Sequence, residues 1–209
     1  MNPLKWMGCL LLLSFYTHFS HAQSIRQIGP NLYWVGIPTE EFNSIQARSM
    51  NAGKQMQSNW CWAASIQMVL NYHGLFTDQI HIVKRLYGHT LQNGTATEDQ
   101  ILMSLSNWSQ FQQGKSYKVI AESGPSSVHA IVQELANKWP LIVGVKTLEG
   151  GHALVLTGII YQVTPSGELQ PRSVELRDPW PGIPSQQELS WNRFEKACTS
   201  LIRVSVKEF

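Results

Sequence analysis

Hydrophobic residues in the first half of the chain recur at helical spacing. Over residues 61–72 they fall near positions i, i+4, i+7 and i+8, which places them on one face of a helix. Two further helices are predicted over residues 77–88 and 97–108, because a capping residue precedes each apolar run. Residues 51–114 are therefore predicted to form a helical lobe.

The pattern changes after about residue 115, where short β-rich runs alternate with turns that contain glycine and proline. One helix, capped by Ser126 or Ser127 and running to Lys138, interrupts these runs. The predicted strands cover residues 117–121, 141–145, 152–163, 174–176 and 201–206. Residues 115–209 are therefore predicted to form a mostly antiparallel sheet lobe, and the fold class is α+β.

The first 22 residues have the pattern of a signal peptide. Lys5 precedes a leucine-rich stretch over residues 6–16, and Ser20 and Ala22 are the small residues that a signal peptidase reads. The stretch is shorter than the roughly 20 apolar residues that span a bilayer, which disfavours an uncleaved anchor. We therefore predict cleavage after Ala22 and a secreted or periplasmic protein.

Residues 23–50 contain one strand-like run, over residues 31–37, and then become polar. They are compatible with a packed N-terminal arm or with a short removable pro-segment. The sequence does not choose between these two.

The charge balance excludes some classes of partner. Removal of residues 1–22 takes Lys5 away and leaves 15 of the 16 basic residues against 14 acidic ones. A chain so nearly neutral lacks the basic surface that binds nucleic acid, and its later apolar runs are too short to span a membrane. The histidines show no metal-ligand spacing. We expect a monomer without metal or cofactor, which binds neither nucleic acid nor, once cleaved, a membrane.

Cys61 stands where a polar loop over residues 55–60 runs into the first predicted helix. Free backbone N–H groups and aligned peptide dipoles at a helix start favour a thiolate, which is the nucleophilic form of cysteine. The competing interpretations are a buried core cysteine and a disulfide to Cys198, which spacing alone does not exclude. Cys198 itself is interpreted as a buried structural thiol.

His152 follows Gly150 and Gly151 and is predicted to be the first residue of an apolar strand. A general base needs such a mounting, because the imidazole must be accessible and yet held rigidly near the nucleophile. The default for any single histidine is a structural role. The other histidines beyond residue 22 keep that default because they lack this frame.

Asp178 ends a predicted strand and is followed at once by Pro179 and Trp180. An acid held in this way can accept the imidazole N–H of a catalytic histidine and stabilise the imidazolium. An ordinary Asp-Pro turn is the alternative. Cys61, His152 and Asp178 together, in that order, favour a catalytic triad more strongly than any one of them alone.

These motifs resemble the papain-like cysteine peptidase superfamily. The stretch over residues 55–65, with Gly-His at 151–152 and Asp-Pro-Trp at 178–180, is most similar to compact bacterial members related to double-glycine leader peptidases and to secreted papain-like proteases. The resemblance covers roughly residues 51–185. It implies a two-lobe fold, in which the cysteine on a helix faces the histidine and acid of the sheet lobe across a cleft.

Position by position, the resemblance implies that Cys61, His152 and Asp178 form the triad and that Trp180 shields it. Gln55, six residues before Cys61, matches the glutamine whose amide helps to bind the oxyanion, with Gln57 as its competitor. The chain departs from the cathepsin-type signature at Ser58, where that signature has a second cysteine. Its orienting residue is also an aspartate rather than an asparagine.

The expected activity is hydrolysis of peptide bonds in a protein or peptide through an acyl-enzyme thioester. Deamidation, transpeptidation and cell-wall amide cleavage use the same triad and remain alternatives. A third alternative is a binding domain that keeps the scaffold without catalysis.

Overall fold

The computed structural model describes residues 24–209, so the predicted signal peptide lies outside the described residues. These residues form six helices: α1 (Thr39–Gln46), α2 (Cys61–Tyr72), α3 (Gln79–Tyr87), α4 (Glu98–Leu105), α5 (Val128–Ala136) and α6 (Trp191–Ala197). Helix α2 has the predicted bounds, and α3 and α4 lie within the two helices predicted after it. No described helix has the length and apolar character needed to span a membrane.

The strands form a single nine-stranded sheet. They are β1 (Ile25–Gly29), β2 (Leu32–Gly36), β3 (Ser109–Gln112), β4 (Lys115–Ser123), β5 (Leu141–Thr147), β6 (Gly150–Val163), β7 (Leu169–Arg177), β8 (Gln186–Ser190) and β9 (Cys198–Glu208). The main order is β1-β2-β6-β5-β9-β4-β3, with β7 and β8 continuing from β6. Every strand pair is antiparallel. The α+β prediction with an antiparallel sheet is confirmed.

Side-chain caps fix where three of the helices begin. The side chain of Asp78 accepts the N–H of His81 at the start of α3. Thr97 and Gln100 form a reciprocal capping box at the start of α4. Ser127 accepts the N–H of Ala130, so it is Ser127 rather than Ser126 that caps α5. These bonds satisfy backbone donors that the first turn of a helix leaves free.

Helix α2 lies at the centre of the fold. Every residue from Cys61 to Asn71 is buried, as expected for a helix that is largely apolar around its circumference. One hydrophobic cluster joins α2, α3 and α4 to one face of the sheet, and a second cluster packs α5 and α6 on the other face. The sheet therefore separates two cores, and α2 carries its first residue to the surface between the helices and the sheet.

Strand β2 and helix α1 lie in the segment that the sequence left open. Strand β2 pairs with the second half of β6, and Phe42 on α1 is 1 % exposed. Strands β2 and β6 approach each other so closely that a Cβ on Gly36 would lie 2.3 Å from the carbonyl oxygen of Thr157. Residues 32–46 are thus built into the sheet and the core.

We predict that deleting residues 24–46 prevents stable folding. The deletion exposes the edge of β6 and removes Val35, Ile37 and Phe42, which are at most 1 % exposed. Each such side chain contributes about 1.5–3 kcal/mol on burial, against a total stability of roughly 5–15 kcal/mol for a domain. Thermal denaturation followed by circular dichroism measures the effect. Deleting residues 24–30 alone is the control with a smaller loss, and a 47–209 fragment that melts like the parent would contradict the prediction.

Candidate active site

Cys61 occupies the first position of α2, and Trp60 is the N-cap. Cys61 is only 8 % exposed, yet it lines a surface cleft of about 580 Å³. The backbone N–H groups of the first helical turn have no acceptors within the helix. The sulfur therefore lies in the positive end of the helix dipole.

The loop before Cys61 is held by a neighbouring loop over residues 92–94. Asn93 accepts the backbone N–H of Asn59 at 3.0 Å and donates to the Ser58 hydroxyl at 2.8 Å. The indole of Trp60 donates to the carbonyl oxygen of Gln92 at 2.9 Å. The sequence gives no sign of this brace, because it joins residues more than 30 positions apart whose side chains carry no catalytic motif.

His152 projects from β6 where this strand pairs with Val145 of β5. The strand begins at Gly150, two residues earlier than predicted, so His152 is its third residue. Gly150 has φ +127°, a conformation that other residues rarely adopt, and a Cβ on Gly151 would meet open space. Glycine at these positions keeps the approach to His152 free of side chains.

Asp178 directly follows β7, the strand that pairs with β6. Its Oδ1 accepts from Nε2 of His152 at 2.9 Å and from the backbone N–H of Trp180 at 2.8 Å. Its Oδ2 accepts from the amide of Gln187 at 3.2 Å. Both carboxylate oxygens therefore have partners, and Nδ1 of His152 is the ring nitrogen left for Cys61.

The cysteine loop and the turn after Asp178 are tied together. Lys54 donates to the carbonyl oxygens of Trp180 at 2.8 Å and Ile183 at 2.9 Å, with a longer contact of 3.4 Å to that of Asp178. The backbone N–H of Gln55 donates to the carbonyl oxygen of Pro179 at 2.8 Å. These bonds fix the position of the acid relative to the loop that leads into α2. No local sequence pattern marks Lys54 for this role.

The protonation states follow from these contacts. Burial lowers the pKa of His152, but hydrogen bonding and charge interactions with Asp178 and Cys61 raise it to about 9. Burial raises the pKa of Asp178, but the bonds from His152 and Trp180 and the charge of Lys54 outweigh it and hold that pKa below its usual value. At neutral pH the pair is therefore an imidazolium and a carboxylate.

Trp180 lies at the edge of the imidazole. The two ring centroids are 6.4 Å apart and the planes meet at 78°. The residue is 42 % exposed, so one part of the indole borders His152 and the rest lines the cleft. It covers one side of the His152–Asp178 pair without sealing it.

Gln55 and Gln57 differ sharply in their surroundings. Gln55 is 6 % exposed, and its Nε2 donates to the carbonyl oxygens of Gln57 at 2.9 Å and Ser58 at 2.7 Å. Its Oε1 is buried without a partner in the described residues. Gln57 is exposed. Both amide hydrogens of Gln55 thus close the loop before Cys61 in this conformation.

The cleft has two parts, and Cys61 and His152 line both of them. The larger part, about 580 Å³, is bordered by the turns that carry Leu148 and Trp180. A smaller part, about 230 Å³, extends past Cys61 and His152 towards the start of α4, at Glu98. An extended chain lying along both parts would cross the sulfur of Cys61.

Cys61 and Cys198 are both free thiols. Cys198 lies at the start of β9 and donates to the carbonyl oxygen of Ser200 at 3.6 Å. Burial raises the pKa of its thiol. The alternative of a Cys61–Cys198 disulfide is therefore wrong for this structure. The described residues contain no group of His, Cys, Asp and Glu side chains placed to hold a metal ion.

Comparison with known proteins gives one family. A family model described as papain-like cysteine protease AvrRpt2 matches residues 43–198. That span contains Cys61, His152, Asp178 and Gln55. No curated protein sequence matches the chain.

The solved structures that are similar to this one include the following three peptidases. The peptidase domain of Streptococcus ComA, a bi-functional ABC transporter involved in quorum sensing, has 18 % identity and a TM-score of 0.49, covering 73 % of this chain and 94 % of that chain. A C39-like peptidase from Bacillus anthracis has 15 % identity and a TM-score of 0.46, covering 75 % and 96 %. The peptidase domain of Streptococcus mutans ComA has 17 % identity and a TM-score of 0.42, covering 74 % and 96 %.

We predict that Gln55→Ala lowers the free energy of unfolding by about 1–2 kcal/mol, because it removes two buried hydrogen bonds that close the loop. Gln57→Ala is the matched control, and its effect should stay within about 0.5 kcal/mol because its side chain is exposed. Urea denaturation of both variants measures the difference. Equal stability of the two would show that Gln55 does not hold this loop.

Proposed function

We propose that this chain, which belongs to the papain-like cysteine protease family of AvrRpt2, hydrolyses peptide bonds with Cys61 as the nucleophile. His152 acts as the base and acid, and Asp178 orients it. The observation that supports these roles best is the 2.9 Å bond between His152 and Asp178, beside a cysteine that lines the same cleft. The chemistry needs the nucleophile and its base within reach of each other and of the substrate, with the acid in contact with the base.

The first step forms a thioester. The Cys61 sulfur, as a thiolate, attacks the carbonyl carbon of the peptide bond, and the carbonyl π electrons move to oxygen. When the tetrahedral intermediate collapses, the C–N bond breaks and the imidazolium of His152 gives its Nδ1 proton to the leaving amine. The raised pKa of His152, about 9, keeps that proton available at neutral pH.

The second step releases the acid product. His152, now neutral, takes a proton from a water molecule while the water oxygen attacks the thioester carbon. The C–S bond then breaks, the carboxylic acid leaves and the thiolate–imidazolium pair is restored. Asp178 accepts a hydrogen bond from the Nε2–H of His152 throughout, which keeps the ring in one orientation.

The oxyanion is stabilised by two donors in this proposal. One is the backbone N–H of Cys61 at the start of α2, and the other is the side-chain amide of Gln55. For Gln55 to serve, one Nε2 hydrogen must turn from a loop carbonyl to the substrate oxygen, and the 2.9 Å bond to Gln57 is the longer of its two. One such donor contributes about 3–4 kcal/mol to the transition state.

The substrate in this proposal is a protein or peptide that lies extended along the cleft. Residues 1–22 carry the signal that directs export, and the mature enzyme acts outside the cytoplasm, as a secreted or periplasmic monomer. The free Cys61 is compatible with that oxidising location because Cys198 is not its disulfide partner.

We predict that Cys61→Ala lowers peptide hydrolysis by at least about 10⁴-fold, since removal of the nucleophile of a triad has an effect of that order. Cys198→Ala is the matched control and should retain activity and the parental melting temperature within a few degrees. Cleavage of a denatured protein substrate, followed by mass spectrometry, measures the activity. Peptide mapping after iodoacetamide treatment should locate the label on residue 61, and preferential labelling of residue 198 would count against the assignment.

We predict that activity falls at alkaline pH as His152 loses its proton, with the limb of kcat/KM near the pKa of about 9. Because the Asp178 carboxylate raises that pKa, Asp178→Asn should lower it and move the limb to lower pH by on the order of one unit. Glu188→Gln removes an exposed carboxylate from β8 and is the control that leaves the limb in place. An unmoved limb in Asp178→Asn would mean that Asp178 does not set the ionisation of His152.

A further inference from the structure

The smaller part of the cleft, of about 230 Å³, combines apolar walls with one acidic side chain. The walls include Trp62, Ile101 and Ala153. Apart from the catalytic pair, Glu98 is the one ionisable side chain of the described residues in this lining. No lysine or arginine of residues 24–209 lines either part of the cleft. The pocket therefore has a negative charge that no cation in its own lining neutralises.

The position of the Glu98 carboxylate follows from the sheet register. Glu98 is the first residue of α4, and its Oε1 accepts from the hydroxyl of Ser123 at 2.8 Å. Ser123 pairs with Ile202 of β9, which belongs to the core under the helices. Ser200 lies two residues before Ile202, so Ser123 and Ser200 project from the same face of the sheet. The carboxylate thus lies on the side of the sheet where Ser200 lines the pocket.

Glu98 has no cationic partner in the structure as described. No salt bridge of the described residues involves it, and its one side-chain hydrogen bond there is the one to Ser123. The arginine of β9, Arg203, pairs instead with Glu122 and Glu134 on the opposite face of the sheet, because successive side chains on a strand alternate. Glu98 is half-buried. A carboxylate that is partly withdrawn from water and unpaired favours a cation.

Two hydroxyl groups add to the acceptors of the pocket. A Cβ on Gly144 would lie 2.4 Å from the hydroxyl oxygen of Ser200 and 3.0 Å from that of Thr199. Gly144 lies inside strand β5, where glycine weakens a strand and often marks a close approach of other groups. Its missing side chain leaves room for both hydroxyls. Each of them can accept a hydrogen bond from an N–H donor.

A lysine or arginine side chain matches this combination of groups. Each has an aliphatic stem that packs along apolar surface and a charged head that only donates hydrogen bonds. The stem fits the apolar walls, and the head suits the carboxylate of Glu98 and the two hydroxyls. An acidic side chain would meet the like charge of Glu98, and an apolar one would cover the carboxylate without pairing it.

We propose that the smaller part of the cleft binds a lysine or arginine side chain of the substrate and that Glu98 selects it. This inference rests on the proposed peptide hydrolysis, because it names the class of substrate that the same cleft takes. Glu98 determines specificity and takes no part in the chemistry. Peptides with a basic residue at one fixed position near the cleaved bond are then the preferred substrates.

Peptide binding to the Cys61→Ala protein tests the inference without catalysis. The probes are fluorescein-labelled peptide pools with arginine, lysine, citrulline or glutamate fixed at one position at a time, and fluorescence anisotropy gives their dissociation constants. Citrulline has the shape of arginine without its charge. At one position, arginine should bind about tenfold more tightly than citrulline. Lysine should share this advantage, and glutamate should bind more weakly than citrulline.

Variants of Glu98 in the same Cys61→Ala background assign the effect. Glu98→Gln should remove the difference between arginine and citrulline, and Glu98→Lys should make glutamate the best ligand at that position. Asp99→Asn is the matched control, because it removes the neighbouring exposed carboxylate of α4, which does not line the cleft. It should keep the full difference. A preference for arginine that is equal at every position, or that survives Glu98→Gln, would overturn the inference.

Hydrolysis by the parent protein separates this inference from the proposed function. Cleavage sites in a denatured protein, located by mass spectrometry, should have lysine or arginine at one constant position relative to the cleaved bond. Cleavage without this preference would contradict the inference and leave peptide hydrolysis standing. A binding preference that depends on Glu98, together with no cleavage of any peptide, would support the inference and contradict the proposed function.

Discussion

The hydrogen bond between Nε2 of His152 and Oδ1 of Asp178 is the contact on which the site depends. It links strand β6, which carries His152, to the residue that follows its neighbour β7. The bond can form because the register of the two strands places Arg177, the last residue of β7, opposite Val155. Asp178 then lies within 2.9 Å of the imidazole. A carboxylate this buried needs hydrogen-bond donors, and His152, Trp180 and Gln187 supply them. The antiparallel sheet thus determines the ionisation of the site as well as its shape.

The helices supply the opposite wall, and the position of α2 follows from burial. A helix that is apolar around most of its surface must be surrounded, which places α2 between the sheet and the other helices and leaves its N-terminus at the cleft. The two walls are then fixed relative to each other by bonds to main-chain carbonyls, from Lys54 to the turn after Asp178 and from Gln55 to Pro179. Such bonds depend on backbone geometry and hardly on the identity of the turn residues.

Local patterns carried most of what could be predicted from the sequence. The bounds of α2, the starts of α3 and α4 close to residues 77 and 97, and the strand that carries His152 all depend on residues close together in the chain. Strands β1, β3 and β8 and helix α1 were missed because they are short, with four to eight residues each, so a hydrophobic periodicity has little length in which to show. The hydrogen bonds of Asn93 to the loop before Cys61, and those of Lys54 to the turn after Asp178, were missed for another reason. Each joins segments distant in sequence through common polar side chains, and no local signal marks them.

The two cysteines show how position decides reactivity. Cys61 begins a helix beside an imidazolium, whereas Cys198 begins β9, where burial raises the pKa of its thiol and its sulfur bonds to Ser200. The sheet register keeps Cys198 away from His152. Strand β5 lies between them, and its Val145 pairs with Cys198 on one side and with His152 on the other. Two strand spacings amount to roughly 10 Å, which is beyond hydrogen-bond reach. The sheet that brings Asp178 to His152 therefore also keeps the second thiol out of the site, so a single sulfur is left to act.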